Sequence, residues 1–466
     1  MSNLYEKRNQ IVLPFLIAAF FGLFNETALN MAFVEIAKDF GIEPSTVQWL
    51  TTGYLLVLGI FVPVSSFLMQ RFTTRQLFAA SLTLSVIGTF IAAIAPNFSV
   101  LLIARVVQAL GTAIVLPLMT TVVLLVYPAA KRGAAMGKIG LVIVFAPAIG
   151  PTLSGIILEQ LSWHFIFWVT VPFLMIALFV GMRFIENVSE VRPTKLDVIS
   201  FLLSSIGFGG VVYGFSISGE RGTFLTTEVY IAVGIGLAAL IIFIIRQLKL
   251  ETPMLNVRVF KYPMFTLGVV IILAVMMTLL SVMVLLPIYL QNALILAPMA
   301  AGLLLLPGGV VNALMSVVAG NLFDKFGPKW MVLSGMLLAI ISLLFLRMVD
   351  LNTSSIYIII MHVILLIGIS FIMMPAQTNG LNELPRELYT DGSAVMNTLQ
   401  QVAGAIGTAV AVTIMSITQK GYDNPVVGLV EGVQNSILFG LIISIIAFIV
   451  SLFLKRVGTE QGKQPN

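Results

Sequence analysis

Three ionisable side chains lie deep inside apolar sequence: Glu26 in FFGLFNETALNMAF, Arg105 in LLIARVVQALGTA and His362 in IYIIIMHVILLIG. A charge held in hydrocarbon costs several kcal/mol, so each must face a cavity or a partner. Glu26 is the one acid deep in any such run. A carboxylate so placed can take up and release a proton at physiological pH. A cation bound beside it would favour the ionised form and expel the proton, and that competition alone can exchange a cation for a proton. The other reading of Glu26 is structural, with the carboxylate hydrogen-bonded to Asn25, Asn30 or the helix carrying Arg105. Arg105 can clamp buried carbonyls or Glu26, or set how tightly Glu26 holds its proton; the two roles are compatible. His362 is either a packed helix histidine or a second proton group. Glu35, nearer the end of its run, is the fallback proton carrier.

The chain also repeats itself. APAIGP at 146–151 matches AGAIGT at 403–408, and SFLMQRFTTR at 66–75 matches GNLFDKFGPK at 320–329, at offsets of 257 and 254. Arg105 and His362 are themselves 257 apart. Repeats in a chain this apolar point to a transporter whose substrate path runs between related halves. Only the first copy has the Gly150–Pro151 pair, and only the second keeps an acid, Asp324 against Gln70. Proline removes a backbone donor and crowds the preceding turn, so Gly150–Pro151 reads as a kink and a hinge or seal; ordinary close packing of small residues is the alternative. Asp324, in a tight turn closed by Gly327, reads as a latch onto a neighbouring helix end or as a solvated turn charge.

The elements that must position these residues are membrane helices. Hydrophobic residues make up 59% of the 466, and only 10% are charged. A soluble domain of that composition would have an apolar surface. Fourteen runs are long enough to span a bilayer: 11–34, 46–69, 76–95, 98–126, 136–158, 163–184, 198–217, 228–248, 264–289, 297–320, 329–349, 355–376, 392–418 and 433–454. With both termini cytoplasmic, 20 of the 25 Lys and Arg fall in inner segments and four in outer ones, which satisfies the positive-inside rule. The seventh and eighth runs have no repeat partner and sit between two sets of six. The expected units are 1–190, a first six-helix bundle; 191–250, two linking helices; and 251–466, a connector lying partly on the membrane surface followed by the second bundle.

Several function classes fall away. The net charge of +5 is spread over inner loops and forms no basic patch with aromatics, so nucleic acid is not expected as a partner. With no cysteine there is no disulfide, thiolate metal site or cysteine nucleophile. No phosphate-binding loop appears, so an ion gradient rather than ATP would drive transport. No secretory signal peptide is read at the start. No metal, cofactor or enzymatic cluster is expected.

With these residues in place, the chain resembles the major facilitator superfamily, specifically its fourteen-helix drug:proton antiporters and, within them, the lincomycin-resistance type. LLIARVVQALGTA, with Arg105 and Gly111, resembles the fourth-helix motif. Gly137, Ala146, Gly150, Pro151, Ser154 and Gly155 follow the spacing of the fifth-helix antiporter motif. WLTTGYLL at 49–56, SWHFIFWVTVPF at 162–173, LPIYLQN at 286–292 and LLLLPGG at 303–309 are similar to this branch in the expected helices and order. Two departures stand out. The family's first-helix acid is replaced by Asn25, with Glu26 one residue on and roughly 100° around the helix. The family's first charged loop carries an acid where this chain has Gln70.

The expectation is therefore an all-α integral membrane protein of the major facilitator fold, with helices arranged 6+2+6. It would be a monomer in the plasma or inner membrane that exports amphipathic or cationic drugs against protons by alternating access. A proton-coupled uptake permease and a lipid or glycolipid translocase of the same fold are the rivals. Proton-coupling candidates are Glu26, Arg105, Glu35 and His362. Substrate contacts are sought at Asn25, Glu26, Asn30, Tyr54, Tyr289, Gln291, Met374 and Gln377, because a drug pocket is largely apolar with a few polar groups. Gly150, Pro151, Asp324 and Gly327 are the gating candidates.

Overall fold

The computed structural model describes residues 8–42, 44–47, 49–188, 191 and 197–457. Among these residues, fourteen helices are long and apolar enough to cross a membrane. They are α1 (Arg8–Ala28), α2 (Trp49–Arg71), α3 (Thr74–Ala93), α4 (Phe98–Val126), α5 (Arg132–Gln160), α6 (His164–Phe184), α7 (Val198–Arg221), α8 (Thr227–Lys249), α9 (Pro263–Asn292), α10 (Pro298–Phe326), α11 (Pro328–Leu346), α12 (Ser355–Glu383), α13 (Tyr389–Gln419) and α14 (Pro425–Ser451). The first expected span is split: α1 passes through a single 3-10 turn, Leu29–Ala32, into a short helix, Phe33–Phe40, which stops at Gly41 with φ 63°.

Local chemistry sets the boundaries. Ala95-Pro96-Asn97, the break expected between the third and fourth spans, works as a cap: Asn97 accepts from the amide of Val100 and starts α4. Thr73 and Gln76 form a reciprocal capping box at the start of α3. Between α10 and α11 the chain reverses at Gly327 alone, where φ is 78°, a conformation that a side chain would strain. Gly150–Pro151 does not interrupt α5, which stays one α-helix across the pair.

The fold is the 6+2+6 arrangement. α1–α6 and α9–α14 form the two related sets, and they meet along two seams, α5 against α10 and α2 against α13. α7 packs over the second seam, touching both α2 and α13, and α8 packs on α7. The α5–α10 seam is close because small residues face one another at helical spacing. A Cβ on Gly137 would stand 2.6 Å from the carbonyl oxygen of Ser316, and one on Gly133 would stand 2.5 Å from that of Gly320. The repeat noticed in sequence is a packing device. Gly150 on α5 lies against residues 24–28 of α1, and its counterpart Gly407 on α13 lies against Met277 of α9 and receives a 2.8 Å hydrogen bond from Ser281.

The end of the bundle where α1 begins and α14 finishes, called here the terminal end, is sealed by polar contacts between the halves. Arg132 donates to Asn382 at 2.8 Å and to the Tyr389 hydroxyl at 3.0 Å, and its guanidinium covers the Tyr389 ring. Toward the opposite end, a cavity lies between α5 and the second half, with exposed Glu35 and Glu159 in its lining.

Candidate functional site

The first-half site is a buried polar cluster on α1, α2 and α4. Arg105 is fully buried. Its Nε donates to the carbonyl of Leu50 at 3.2 Å, and its Nη1 donates to the carbonyl of Asn25 at 3.3 Å and to Gln108 Oε1 at 2.9 Å. The guanidinium carbon lies 4.2 Å from the centre of the Tyr54 ring. The Tyr54 hydroxyl donates to Thr112 at 2.8 Å, and Gln108 reaches Thr89 at 2.9 Å. The arginine is therefore oriented from all sides, yet Nη2 has no partner. Glu26, half-buried on α1, lies within electrostatic reach of Arg105. Among the described residues its carboxylate makes no hydrogen bond or ion pair, so the three structural partners considered from sequence do not hold it. Asn25, at the family's usual acid position, turns toward α6, where its amide nitrogen lies 3.4 Å from Thr170 Oγ1. Chemically the cluster offers an uncommitted carboxylate beside a fixed cation.

The second site is a cavity of about 650 Å³ between α5, α9, α10 and α12, reached from the end opposite the termini. Asn30, Glu35, Gln291 and His362, all singled out from sequence, line it. Glu26, Asn25 and Tyr54 do not; they belong to the buried cluster. Asn30 ties the two regions together, since it lies four residues beyond Glu26 and accepts from Thr51 at 2.9 Å. Three other expected substrate contacts lie elsewhere. Tyr289 is fully buried and donates to the carbonyl of Asp350 at 2.5 Å. Met374 packs beside Gly140 in the α5–α12 seam, and Gln377 is buried below it with Oε1 unpaired. Sequence reading missed Glu159 and Thr152, which also line the cavity. Glu159 ends a long apolar run and looks like an ordinary terminal charge; only the pairing of α5 with α10 brings it to the cavity.

The third group lies at the seams. Asp324, in the last turn of α10, accepts from the backbone amides of Gly133 and Ala134 at 3.0 Å each, capping the start of α5 from across the seam. A carboxylate there meets the positive end of the helix dipole. Arg456 holds the carbonyl of Asp324 at 2.7 Å. Gly150 brings α5 against Thr27 and Ala28, next to Glu26. The side chain of Pro151 lies outside the described residues. At the α2–α13 seam, where Gln70 stands in place of the family's acid, a carboxylate is supplied by a residue sequence reading passed over. Asp391, buried at the start of α13, accepts from the Ser66 hydroxyl at 2.7 Å and from the amide of Asn256 at 2.9 Å. Asp391 occupies the repeat position of Ala134. Each seam thus contains a carboxylate, carried by α10 in one and by α13 in the other.

Comparison with known proteins agrees with this architecture. Residues 15–408 match the Major Facilitator Superfamily. The chain is 54% identical to lincomycin resistance protein LmrB of Listeria innocua, covering 96% of each chain. It is 55% identical to LmrB of Bacillus subtilis, covering 97% of this chain and 96% of that one. Among solved structures, the proton:xylose symporter XylE superposes with a TM-score of 0.66 at 13% identity over 96% of both chains, which bears on the fold alone. Fourteen apolar helices in two related sets, a cavity between them and this near-complete similarity place the chain in the major facilitator superfamily, as a multi-pass membrane transporter.

Proposed function

We propose that this transporter exports amphipathic cationic drugs in exchange for protons by alternating access, as a monomer with both termini in the cytoplasm. The relatives named for lincomycin resistance support drug efflux, and the uneven distribution of Lys and Arg supports the orientation. In that orientation the sealed terminal end faces the cytoplasm and the cavity opens outward.

The observation that carries proton coupling is Glu26: a carboxylate without a hydrogen-bond partner, beside an arginine whose Nη2 is also free. In the outward-open state a proton reaches Glu26 from outside and a drug leaves the cavity. The neutral side chain lets the Asp324 and Asp391 seams part. On the inner side the proton leaves, the carboxylate is restored, and a cation is again favoured. Charge balances because one positive species replaces another at the same protein.

The test uses purified protein in liposomes with an imposed pH gradient. Glu26→Gln keeps shape and hydrogen bonding but cannot titrate. It should abolish proton-driven drug efflux while leaving downhill exchange of a neutral substrate. Efflux by Glu26→Gln at wild-type rates would overturn the assignment and move it to Glu35 or His362. Drug accumulation driven along the proton gradient would identify an uptake permease. A tag inserted at Gly222 should be reachable from outside and tags at residue 10 and at the C-terminus only from inside.

A further inference from the structure

His362 differs from its repeat mate. Arg105 is fastened by carbonyls and a ring, whereas the imidazole of His362, only 5% exposed, forms part of the cavity wall with Nδ1 unpartnered. It has this space because α10 carries Gly308 opposite it; a Cβ there would meet the ring. Nδ1 is closed off against Gly308, so the ring edge that carries Nε2, which makes no hydrogen bond among the described residues, is the one left to line the cavity. A polar atom there is satisfied when a ligand supplies a partner. His362 lies seven residues into α12, roughly 10 Å along the helix from its first residue, whereas Glu159 stands one residue from the end of α5. Glu159 and Glu35 are exposed at the mouth and make no ion pair among the described residues. The walls between the mouth and His362 are mostly apolar, with Val282, Met283 and Leu305 among them.

We propose that the cavity reads two features of one ligand: Glu35 and Glu159 attract its ammonium group at the mouth, and His362 hydrogen-bonds a hydroxyl or amide at depth. Substrates of this site are elongated amphipathic amines with a hydrogen-bonding group set apart from the charge. An imidazole can donate or accept, so both kinds of polar group are served. His362 is then a specificity-determining contact in the drug path rather than a proton carrier. The inference rests on the drug-export reading.

Equilibrium binding to the full-length protein in nanodiscs tests it with two probes: lincomycin, an amine bearing hydroxyls and an amide, and tetraphenylphosphonium, a cation with no hydrogen-bonding group. His362→Leu should weaken lincomycin roughly tenfold to a hundredfold, the range for a desolvated polar group left unpaired. It should leave tetraphenylphosphonium within about twofold, which also shows that the variant is folded. His362→Gln, which keeps a donor and an acceptor, should recover most of the lincomycin affinity. The double variant Glu35→Gln, Glu159→Gln should weaken both probes. Unchanged lincomycin binding by His362→Leu, or equal loss of both probes, overturns the role of His362. If the wild type binds neither probe, the drug-export reading itself fails.

Discussion

Removing the charge at Asp324 should shift the transporter between its two states, and the size follows from the contact. Its carboxylate accepts two backbone amides at the start of α5, both at 3.0 Å. Hydrogen bonds to a charged group contribute about 1.5–3 kcal/mol each. Asp324→Asn keeps one oxygen acceptor, loses the charge and turns an amide donor toward the α5 amides. The net loss is therefore close to one charged bond, about 2 kcal/mol, or roughly thirtyfold in the ratio of sealed to unsealed terminal ends. The bonds exist only across the seam, so the loss falls on this state and not on its partner. The absence of cysteine provides the assay. Met299, 48% exposed at the cavity, can be replaced by a single cysteine and labelled with a membrane-impermeant maleimide from outside. In Asp324→Asn the labelling rate should fall by an order of magnitude. Transport should slow, while lincomycin affinity measured with the cavity open should hold. Labelling at the wild-type rate would refute the latch and leave Asp324 as a turn charge.

Three further outcomes follow from the same contacts. Asp391→Asn should open the other seam by a similar factor, read by the same cysteine, and Gln70→Asp should not restore it, because the acid there is carried by α13. Gly150→Val should impair transport at least tenfold without abolishing insertion, since its side chain would have to displace Thr27 and the α1 backbone beside Glu26, where a Cβ already stands 3.2 Å from the Ala28 amide; efflux at the wild-type rate would remove the α1–α5 contact from the mechanism. Asp197, partly buried at the head of α7, is pushed up by that burial, but its bonds to Arg246 and Ser200 outweigh this and hold it down at about 2. A depressed carboxylate contributes stability that is complete above its unfolded value of roughly 3.9 and is lost as pH falls toward 2. The melting difference between the wild type and Asp197→Asn should therefore be small, at most about 1 kcal/mol, and flat from pH 5 to 8.

The sequence carried the fold because membrane helices obey a single dominant rule: apolar length with interruptions. Even Ala95-Pro96-Asn97 sufficed, since a proline and a capping side chain are local signals. The break in α1 at Leu29–Ala32 was hidden, because Leu29, Met31 and Ala32 continue the apolar run and no glycine or proline marks the turn. The buried cluster was partly legible, Arg105 and Glu26 standing out as charges in hydrocarbon; Gln108, Thr112 and Thr170 did not, since neutral polar residues are common in such helices. The cavity was least legible. Its members come from α5, α9, α10, α12 and the end of α1, and which face of each looks inward depends on packing between halves. Tyr289 and Gln291 are two residues apart on α9, yet one caps a loop carbonyl and the other lines the cavity.

The differences between the halves bear on the proposed exchange. Two equivalent halves would present the same chemistry to drug and proton, and nothing would make one displace the other. Here each repeat position has diverged. Position 105 is an arginine immobilised beside a carboxylate, and position 362 is an imidazole in a cavity wall with its Nδ1 unpaired against Gly308. The seam acids have diverged too, standing on α10 at one joint and on α13 at the other. Gly150 lies against α1 within two residues of Asn30's turn, while two residues further along α5 the wall of the cavity resumes at Thr152 and continues through Gly155 to Glu159. One helix thus touches the proposed proton site and the proposed drug site, and its first turn is held by Asp324. A change at Glu26 that moved α5 would alter the cavity wall and the Asp324 contact together, so the proposed coupling requires no contact between drug and carboxylate, only a rigid α5 with two positions.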